Sequence, residues 1–191
     1  MRRRRRRAAT VRQPRPEVSG PNERWLRHAV AMDFVHDVLA TSQPVRVFTL
    51  ADVFSRECVA LEAARSFSGA DVARLLSDAG ARVGTSPAII QCDNGTEFTS
   101  NALDHWAYWN RVQLDFSRPG KPVDNGVGEA FNGSLRREGL SRHRFASLAE
   151  ARTELATWAA DYNDHRPHTS LGHQSPVQFR TGGDYRPRAV R

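Results

Sequence analysis

The sequence predicts an α/β fold in which a mixed five-stranded sheet is flanked by helices. Three apolar, β-prone segments follow one another with short turns between them, then an amphipathic helical pattern, then two short apolar segments that alternate with further helical patterns. Strands joined by short turns pair in an antiparallel meander, whereas a strand that follows a helix pairs in parallel through a crossover. The predicted order is therefore β-β-β-α-β-α-β-α-α.

The first three strands are predicted from apolar segments with β-branched residues and strand-like alternation. AVAMDFVHDVL is the first and has Asp33 set within it, VRVFTLADVF (45–54) is the second, and ECVALEA (57–63) is the third. Residues 41–44 supply the turn between the first two strands. Alternation and short connections are the sequence signs of such a meander.

Helices and two short strands are predicted in the second half. Ser68 can cap a helix with one apolar face, PAIIQC (87–92) is a buried strand that ends at Asp93, and Ser100 or Thr99 can cap the next helix. VQLDF (112–116) is the fifth strand, and SRPGKPVDNG (117–126) is a polar loop. GEAFNGSLRREGL reads as a helix, and Ser147 with a glutamate three residues later has the capping-box pattern before a long helix over 147–163.

Positive charge is concentrated at the N-terminal end. The first thirty residues hold ten arginines and two glutamates, whereas the rest carries eighteen basic and nineteen acidic residues. Residues 1–24 are predicted to be a basic flexible arm, 25–180 one globular domain that begins near Trp25, and 181–191 a disordered tail. Such an arm suits phosphate backbones, because arginines displace condensed counterions, although a solvated tail without a partner remains an alternative.

Several protein classes are disfavoured. No apolar run approaches the roughly 18 residues that a spanning helix needs, and no apolar segment follows the arginines as in a secretory signal. A cytoplasmic protein is therefore expected. Cys58 and Cys92 lie far apart with no CxxC or Cys/His cluster, which predicts small buried residues, not a zinc site or disulfide.

Three carboxylates lie at positions where an acidic side chain is either unfavourable for stability or typical of a functional site. Asp33 interrupts an apolar strand, Asp93 ends one, and Glu129 begins a helix after a Gly-rich loop. A charge inside a strand is unfavourable unless it is paired or binds a metal, and strand ends are common sites in α/β folds. Carboxylate clusters suit two magnesium or manganese ions that catalyse phosphoryl transfer. From the residues alone, three other acids remain competitors: Asp37, Asp52 and Glu97.

Thirty-five residues separate Asp93 from Glu129, and several words stand in order around them: MDFVHD, CDNGTEFTS, RPGKPVDNG, EAFNGSLRRE and DYNDHRPHTSLGHQSPVQF. Over about residues 21–180 the chain thereby resembles retroviral integrases and insertion-sequence transposases of the OrfB type. The resemblance implies a ribonuclease-H-like fold and a cofactor of two divalent ions, either Mg²⁺ or Mn²⁺. It also implies DNA cleavage at insertion-element ends, followed by strand transfer.

The resemblance also assigns residues. It implies that Asp33, Asp93 and Glu129 are the catalytic, metal-binding carboxylates, and that Asn94 and Gly95 form the turn that aims the second. DNA contact is implied for three positions in the core and is predicted for the arginine run of the arm: Lys121, Asn132 and Arg136, with Arg2, Arg3, Arg4, Arg5, Arg6 and Arg7. Expected partners are element-end and target DNA, a separate helix-turn-helix protein and further copies of the chain. The RPH word (166–168) is interpreted as structural.

Three departures from the family pattern leave an alternative open. The lead-in RWLRHAVAMDF is longer than usual, and Gly128 stands where a large apolar residue is typical, at a helical cost of about 0.5–1 kcal/mol relative to alanine. The helix-turn-helix region is also missing from this sequence. The chain is therefore expected to be either an active core or a truncated, weak or inactive DNA-binding fragment that modulates intact transposase. A structure-specific nuclease is a third option, which the C-terminal block argues against.

Overall fold

The computed structural model describes residues 29–117, 125–141 and 144–182. The predicted arm (1–24), the expected start near Trp25 and most of the predicted tail lie outside the described residues. Within them, no helix is long and apolar enough to span a membrane.

Five strands form one mixed sheet, as predicted. They are β1 (Val30–Val38), β2 (Pro44–Asp52), β3 (Cys58–Ala64), β4 (Ile89–Cys92) and β5 (Gln113–Phe116), in the spatial order β3-β2-β1-β4-β5. β1, β2 and β3 pair antiparallel, while β4 pairs parallel to both β1 and β5. β1 is thus the central strand, at the junction between the antiparallel and the parallel halves.

The helices follow the predicted order. They are α1 (Gly69–Val83), α2 (Asn101–Asn110), α3 (Gly126–Ser134), α4 (Leu148–His165) and α5 (Pro176–Thr181), with a short 3₁₀ turn at Thr169–Leu171. Ser68 and Ser100 cap α1 and α2 as predicted. Only half of the capping box predicted at Ser147 forms, because the Glu150 carboxylate accepts the N–H of Ala146 in place of that of Ser147.

One predicted helix changes its winding. After α3 the chain continues as a π-helical turn, Leu135–Leu140, where the spacing of Phe131 and Leu135 had predicted a continuous α-helix. In a π-helix, residues five apart share a face, and Leu135 and Leu140 are both buried. Gly139 lies against α4, where an added Cβ would be 3.0 Å from Leu135 Cδ1 and 3.5 Å from the Trp158 ring.

The sheet separates two hydrophobic cores. Met32, Phe48 and Leu76 belong to the core on the α1–α2 face, and Val35 and Leu155 to the core on the α3–α4 face. Because side chains alternate along a strand, Asp33 shares the α3–α4 face with Val35, whereas Phe34 lies on the α1–α2 face.

Both cysteines are buried and free, as predicted. Burial raises the pKa of the Cys58 thiol, and of the Cys92 thiol, to about 12. Both side chains therefore stay as neutral thiols within the core at ordinary pH.

Asp52 forms the turn between β2 and β3. Its Oδ1 accepts the backbone N–H groups of Phe54 and Ser55 and the Ser55 hydroxyl, at 2.9, 2.6 and 3.0 Å. Its Oδ2 is buried with no hydrogen-bond partner among the described residues. Burial raises the pKa of Asp52 to about 6 against these hydrogen bonds.

The raised pKa predicts a pH-dependent stability. The folded state favours protonated Asp52, so this contribution is complete below pH 4 and is lost as the pH rises through 6. Asp52→Asn keeps the accepting oxygen but cannot ionise. The unfolding free energy of Asp52→Asn minus that of wild type should therefore increase by about 2–3 kcal/mol when the pH is raised from 4 to 7.

Urea unfolding of both proteins across this pH range measures the difference. Asp104→Asn, which removes an exposed carboxylate from α2, is the control. A free-energy difference between wild type and Asp52→Asn that does not vary with pH would contradict the prediction.

Candidate active site

Asp33 lies half-buried near the middle of β1 and is held at both carboxylate oxygens. The N–H of Phe34 donates to Oδ1 at 2.7 Å, and the side-chain amide of Asn132 donates to Oδ2 at 2.8 Å. The Thr49 hydroxyl donates to the Asp33 backbone carbonyl at 3.2 Å from the paired strand β2. The carboxylate is thereby fixed on the face of the sheet that α3 covers.

Two other acids act on this carboxylate through their charge. The pKa of Asp33 is raised, first by burial and then by the negative charges of Asp93 and Glu129. The hydrogen bonds from Phe34 and Asn132 oppose the rise. The acids that repel Asp33 are thus the two that the sequence selected.

Asp93 stands in a tight turn directly after β4. The N–H of Gly95 donates to Asp93 Oδ1 at 2.8 Å, and a Cβ on Gly95 would come within 3.0 Å of that oxygen. The Asn94 side chain donates to the carbonyl of Ser117 at 3.1 Å, so the turn is joined to the end of β5. Asp93 itself is exposed beyond the sheet edge.

Glu129 lies in the first turn of α3 and is exposed. Asn132 follows it three residues later, so both side chains lie on neighbouring positions of one helix face. Gly128 is buried, and a Cβ there would be 2.6 Å from Asn125 Oδ1. The glycine that the sequence marked only as a weak helix residue therefore leaves room for the Asn125 side chain.

Asp33, Asp93 and Glu129 have the donor chemistry that suits a hard divalent cation, since all supply carboxylate oxygens. Their mutual repulsion, felt at Asp33, is what a bound cation would relieve. Among the described residues, no three Asp, Glu, His or Cys side chains lie close enough together to hold one ion. Glu129 follows the segment 118–124, which is outside the described residues.

The competing acids have other partners or positions. Asp52 is buried in its own turn, and Glu97 is paired with Arg46 of β2. Asp37 lies four residues beyond Asp33 on β1, and its Oδ1 accepts the neighbouring N–H of Val38.

The predicted DNA-contacting residues differ in their exposure, and some lie outside the described residues. Arg136 is exposed at the start of the π-helical turn, whereas Asn132 is 8% exposed and turned toward Asp33. Contact of either residue with DNA stays a prediction. Lys121 and the arginines 2–7 lie outside the described residues.

The RPH word packs behind the site. Arg166 is paired with Glu138 of the π-helical turn and lies over the Tyr162 ring at 5.7 Å. His168 packs edge-on against the same ring at 5.2 Å, and Tyr162 in turn contacts Phe131 of α3. Burial, followed by the charges of Arg166 and Arg56, lowers the pKa of His168. These contacts support the structural interpretation of the word.

Sequence reasoning missed two features of the site. The bond from Asn132 to Asp33 had a weak signal, the i,i+3 spacing of Glu129 and Asn132. The ion pair of Arg46 with Glu97 had none, because 51 positions separate the two residues.

Comparison with known proteins gives consistent matches. Two family models, both described as integrase core domain, match residues 20–122 and 110–176. An uncharacterized 31.7 kDa protein of insertion element IS407 from Burkholderia multivorans is 41% identical over 93% of this chain and 62% of its own length. An uncharacterized 39.2 kDa protein of insertion element IS476 from Xanthomonas euvesicatoria is also 41% identical, over 84% of this chain and 45% of its own length.

Among solved structures, the HTLV-2 integrase catalytic core domain in complex with magnesium, in a trimeric form, superposes with a TM-score of 0.64. It is 15% identical, over 82% of this chain and 98% of that one. The likeness confirms the predicted ribonuclease-H-like fold. The chain spans only part of the length of the two insertion-element relatives.

The charge coupling at Asp33 is testable without any ligand. Asp93→Asn removes a repelling charge and should lower the pKa of Asp33, whereas Asn132→Ala removes a hydrogen bond to the charged form and should raise it. Carbon-13 NMR titration of labelled aspartate carboxyls measures both shifts. Asp104→Asn on α2 is the control, and an Asp33 titration that is the same in all the variants would show that the three groups do not interact.

Proposed function

The chain belongs to the integrase core domain family, and we propose that it is the catalytic core of a DNA transposase. Its proposed reaction is metal-dependent cleavage of DNA at insertion-element ends, followed by transfer of the cut strand to target DNA. The observation that carries the proposal is the match of residues 20–122 to the integrase core domain, with Asp33 on the central strand β1 and Asp93 directly after the neighbouring parallel strand β4.

Asp33, Asp93 and Glu129 are the residues proposed to hold two Mg²⁺ or Mn²⁺ ions. Such ions activate an attacking oxygen and stabilise the leaving oxygen in phosphoryl transfer. The similar integrase core was solved in complex with magnesium, which supports the choice of metal.

The other residues of the site prepare these carboxylates. Asn132 and the Phe34 N–H hold one oxygen each of Asp33 and so limit its rotation. The Gly95 N–H does the same for Asp93. Fixed carboxylates of this kind need little rearrangement during the reaction, which favours catalysis by preorganisation.

The DNA is proposed to approach over α3. Arg136 is exposed one helical turn beyond Asn132, and Lys121, which lies outside the described residues, belongs to the segment that the sequence predicts to be a polar loop. Both can neutralise phosphates, and the arginines 2–7 can extend the contact along the backbone. Binding of two element ends at once calls for more than one copy of the chain, and a helix-turn-helix protein is the proposed partner for end recognition.

The proposed reaction predicts a metal-dependent cut. With labelled element-end DNA and Mn²⁺ or Mg²⁺, the chain should nick the end and join it to target DNA. Asp93→Asn should reduce the rate by at least about a hundredfold, because a metal-binding carboxylate is lost. Gel electrophoresis of the labelled strands measures both products.

Asp104→Asn, outside the site, is the matched control and should cut at the wild-type rate. Binding of element-end DNA without cleavage under either metal, with the helix-turn-helix partner supplied, would identify the chain as the alternative: a DNA-binding fragment that modulates intact transposase.

The arm makes a separate prediction. Deletion of residues 2–7 removes six positive charges, so it should weaken DNA binding and flatten the dependence of log K on log salt. Fluorescence anisotropy at 50 to 200 mM salt measures the slope. A deletion variant with the slope of wild type would show that these arginines do not contact DNA.

A further inference from the structure

We propose that Arg46 is a positioning residue of the carboxylate site, which pairs with Glu97 and so keeps Glu97 from joining the metal-binding carboxylates. The inference rests on the proposed function, because it assumes that Asp93 binds metal.

The first observation is the ion pair itself. The Arg46 guanidinium on β2 contacts the Glu97 carboxylate, which lies four residues after Asp93 in the same β4–α2 connection. Both side chains are partly buried, at 20% and 16% exposed. Partial burial makes the pair less sensitive to salt than a fully exposed pair.

The second observation is that Arg46 also touches the strand that carries Asp33. Its guanidinium lies over the Phe34 ring, 4.1 Å from the centroid. Phe34 stacks on Phe98 with 5.0 Å between centroids and an interplanar angle of 5°. Phe34 follows Asp33, and Phe98 follows Glu97, so one arginine contacts β1 directly and the Asp93 turn through Glu97.

The third observation is that the carboxylates of Asp93 and Glu97 both lie close to Gly95. A Cβ on Gly95 would be 3.0 Å from Asp93 Oδ1 and 3.5 Å from Glu97 Oε2. Thr96 donates its hydroxyl to Glu97 Oε2 at 3.1 Å, while Arg46 occupies Oε1. Glu97 is therefore a fourth carboxylate beside Asp93 whose charge is already matched by a cation of the protein.

The sheet faces explain how the separation works. Arg46 pairs with His36 of β1, and with Phe34 it lies on the α1–α2 face, opposite the face of Asp33. Arg46 thus draws Glu97 toward the side of the sheet away from Asp33. Without that cation, the Glu97 carboxylate would be free to turn to the nearest other positive charge, a divalent ion at Asp93.

Loss of this role should change metal affinity and the rate of cleavage in opposite directions. In Arg46→Met, Glu97 is free to act as an additional carboxylate ligand, so the affinity for Mn²⁺ should rise, on the order of tenfold, because affinity for a hard divalent cation increases with the number of charged oxygen ligands. The rate of strand cleavage should fall, because the ion is drawn away from Asp33. A purely structural role would lower stability without any gain in affinity.

The experiment measures Mn²⁺ binding to the purified chain by calorimetry, with thermal unfolding of each variant beside it. Arg46→Met should bind Mn²⁺ more tightly than wild type, and Arg46→Met/Glu97→Gln should return to the wild-type affinity. Arg74→Met is the matched control, because Arg74 makes an exposed pair with Asp78 on α1. Unchanged affinity in a folded Arg46→Met protein would overturn the proposal.

Arg46→Gln covers the case in which Arg46→Met does not fold, because it removes the same positive charge but keeps a polar side chain. Its affinity for Mn²⁺ should also exceed that of wild type, and unchanged affinity in the folded variant would overturn the proposal. Wild-type DNA cleavage is measured separately. If the affinities change as expected but wild type cuts no DNA, the role of Arg46 stands and the proposed transposase reaction fails.

Discussion

The structure depends on a carboxylate placed in the central strand of the sheet. Asp33 lies between antiparallel β2 and parallel β4, where burial raises its pKa. Such a group is unfavourable in a strand unless it is compensated. The Phe34 N–H and the Asn132 amide provide the compensation, and the second of these ties α3 to β1. The hydrogen bond that compensates the Asp33 carboxylate thus also joins β1 to the helix that carries Glu129.

Strand alternation gives the two faces of the sheet different tasks. On the α3–α4 face, Asp33 meets Asn132 over a core of aromatic and aliphatic side chains. On the other face, Phe34 stacks on Phe98 beneath Arg46. A register shift of one residue would exchange these faces and move Asp33 away from α3. The nine-residue pairing of β1 with β2 prevents such a shift.

The features that the sequence predicted are those with a local signal. Strands appeared as apolar alternation, Ser68 and Ser100 as caps, and Asp93 as the residue at a strand end. The π-helical turn was missed because the helix was predicted from the four-residue spacing of Phe131 and Leu135, and the five-residue step from Leu135 to Leu140 was not considered. The Arg46–Glu97 pair was missed because it joins distant segments, and ion pairing leaves no pattern in either segment.

The C-terminal block supports the site from a distance. The hydrogen bonds at Asp33 come from Phe34, Thr49 and Asn132, all of which precede this block. Tyr162 of α4 packs between Phe131 of α3 and His168, and Arg166 fixes Glu138 of the π-helical turn. These contacts bury the side of α3 that carries Phe131. Glu129 and Asn132 lie on a different side of the helix. A helix as short as α3 has little stability by itself. Its position against β1, and with it the geometry of the third carboxylate, is therefore set from behind by α4 and the segment that follows it.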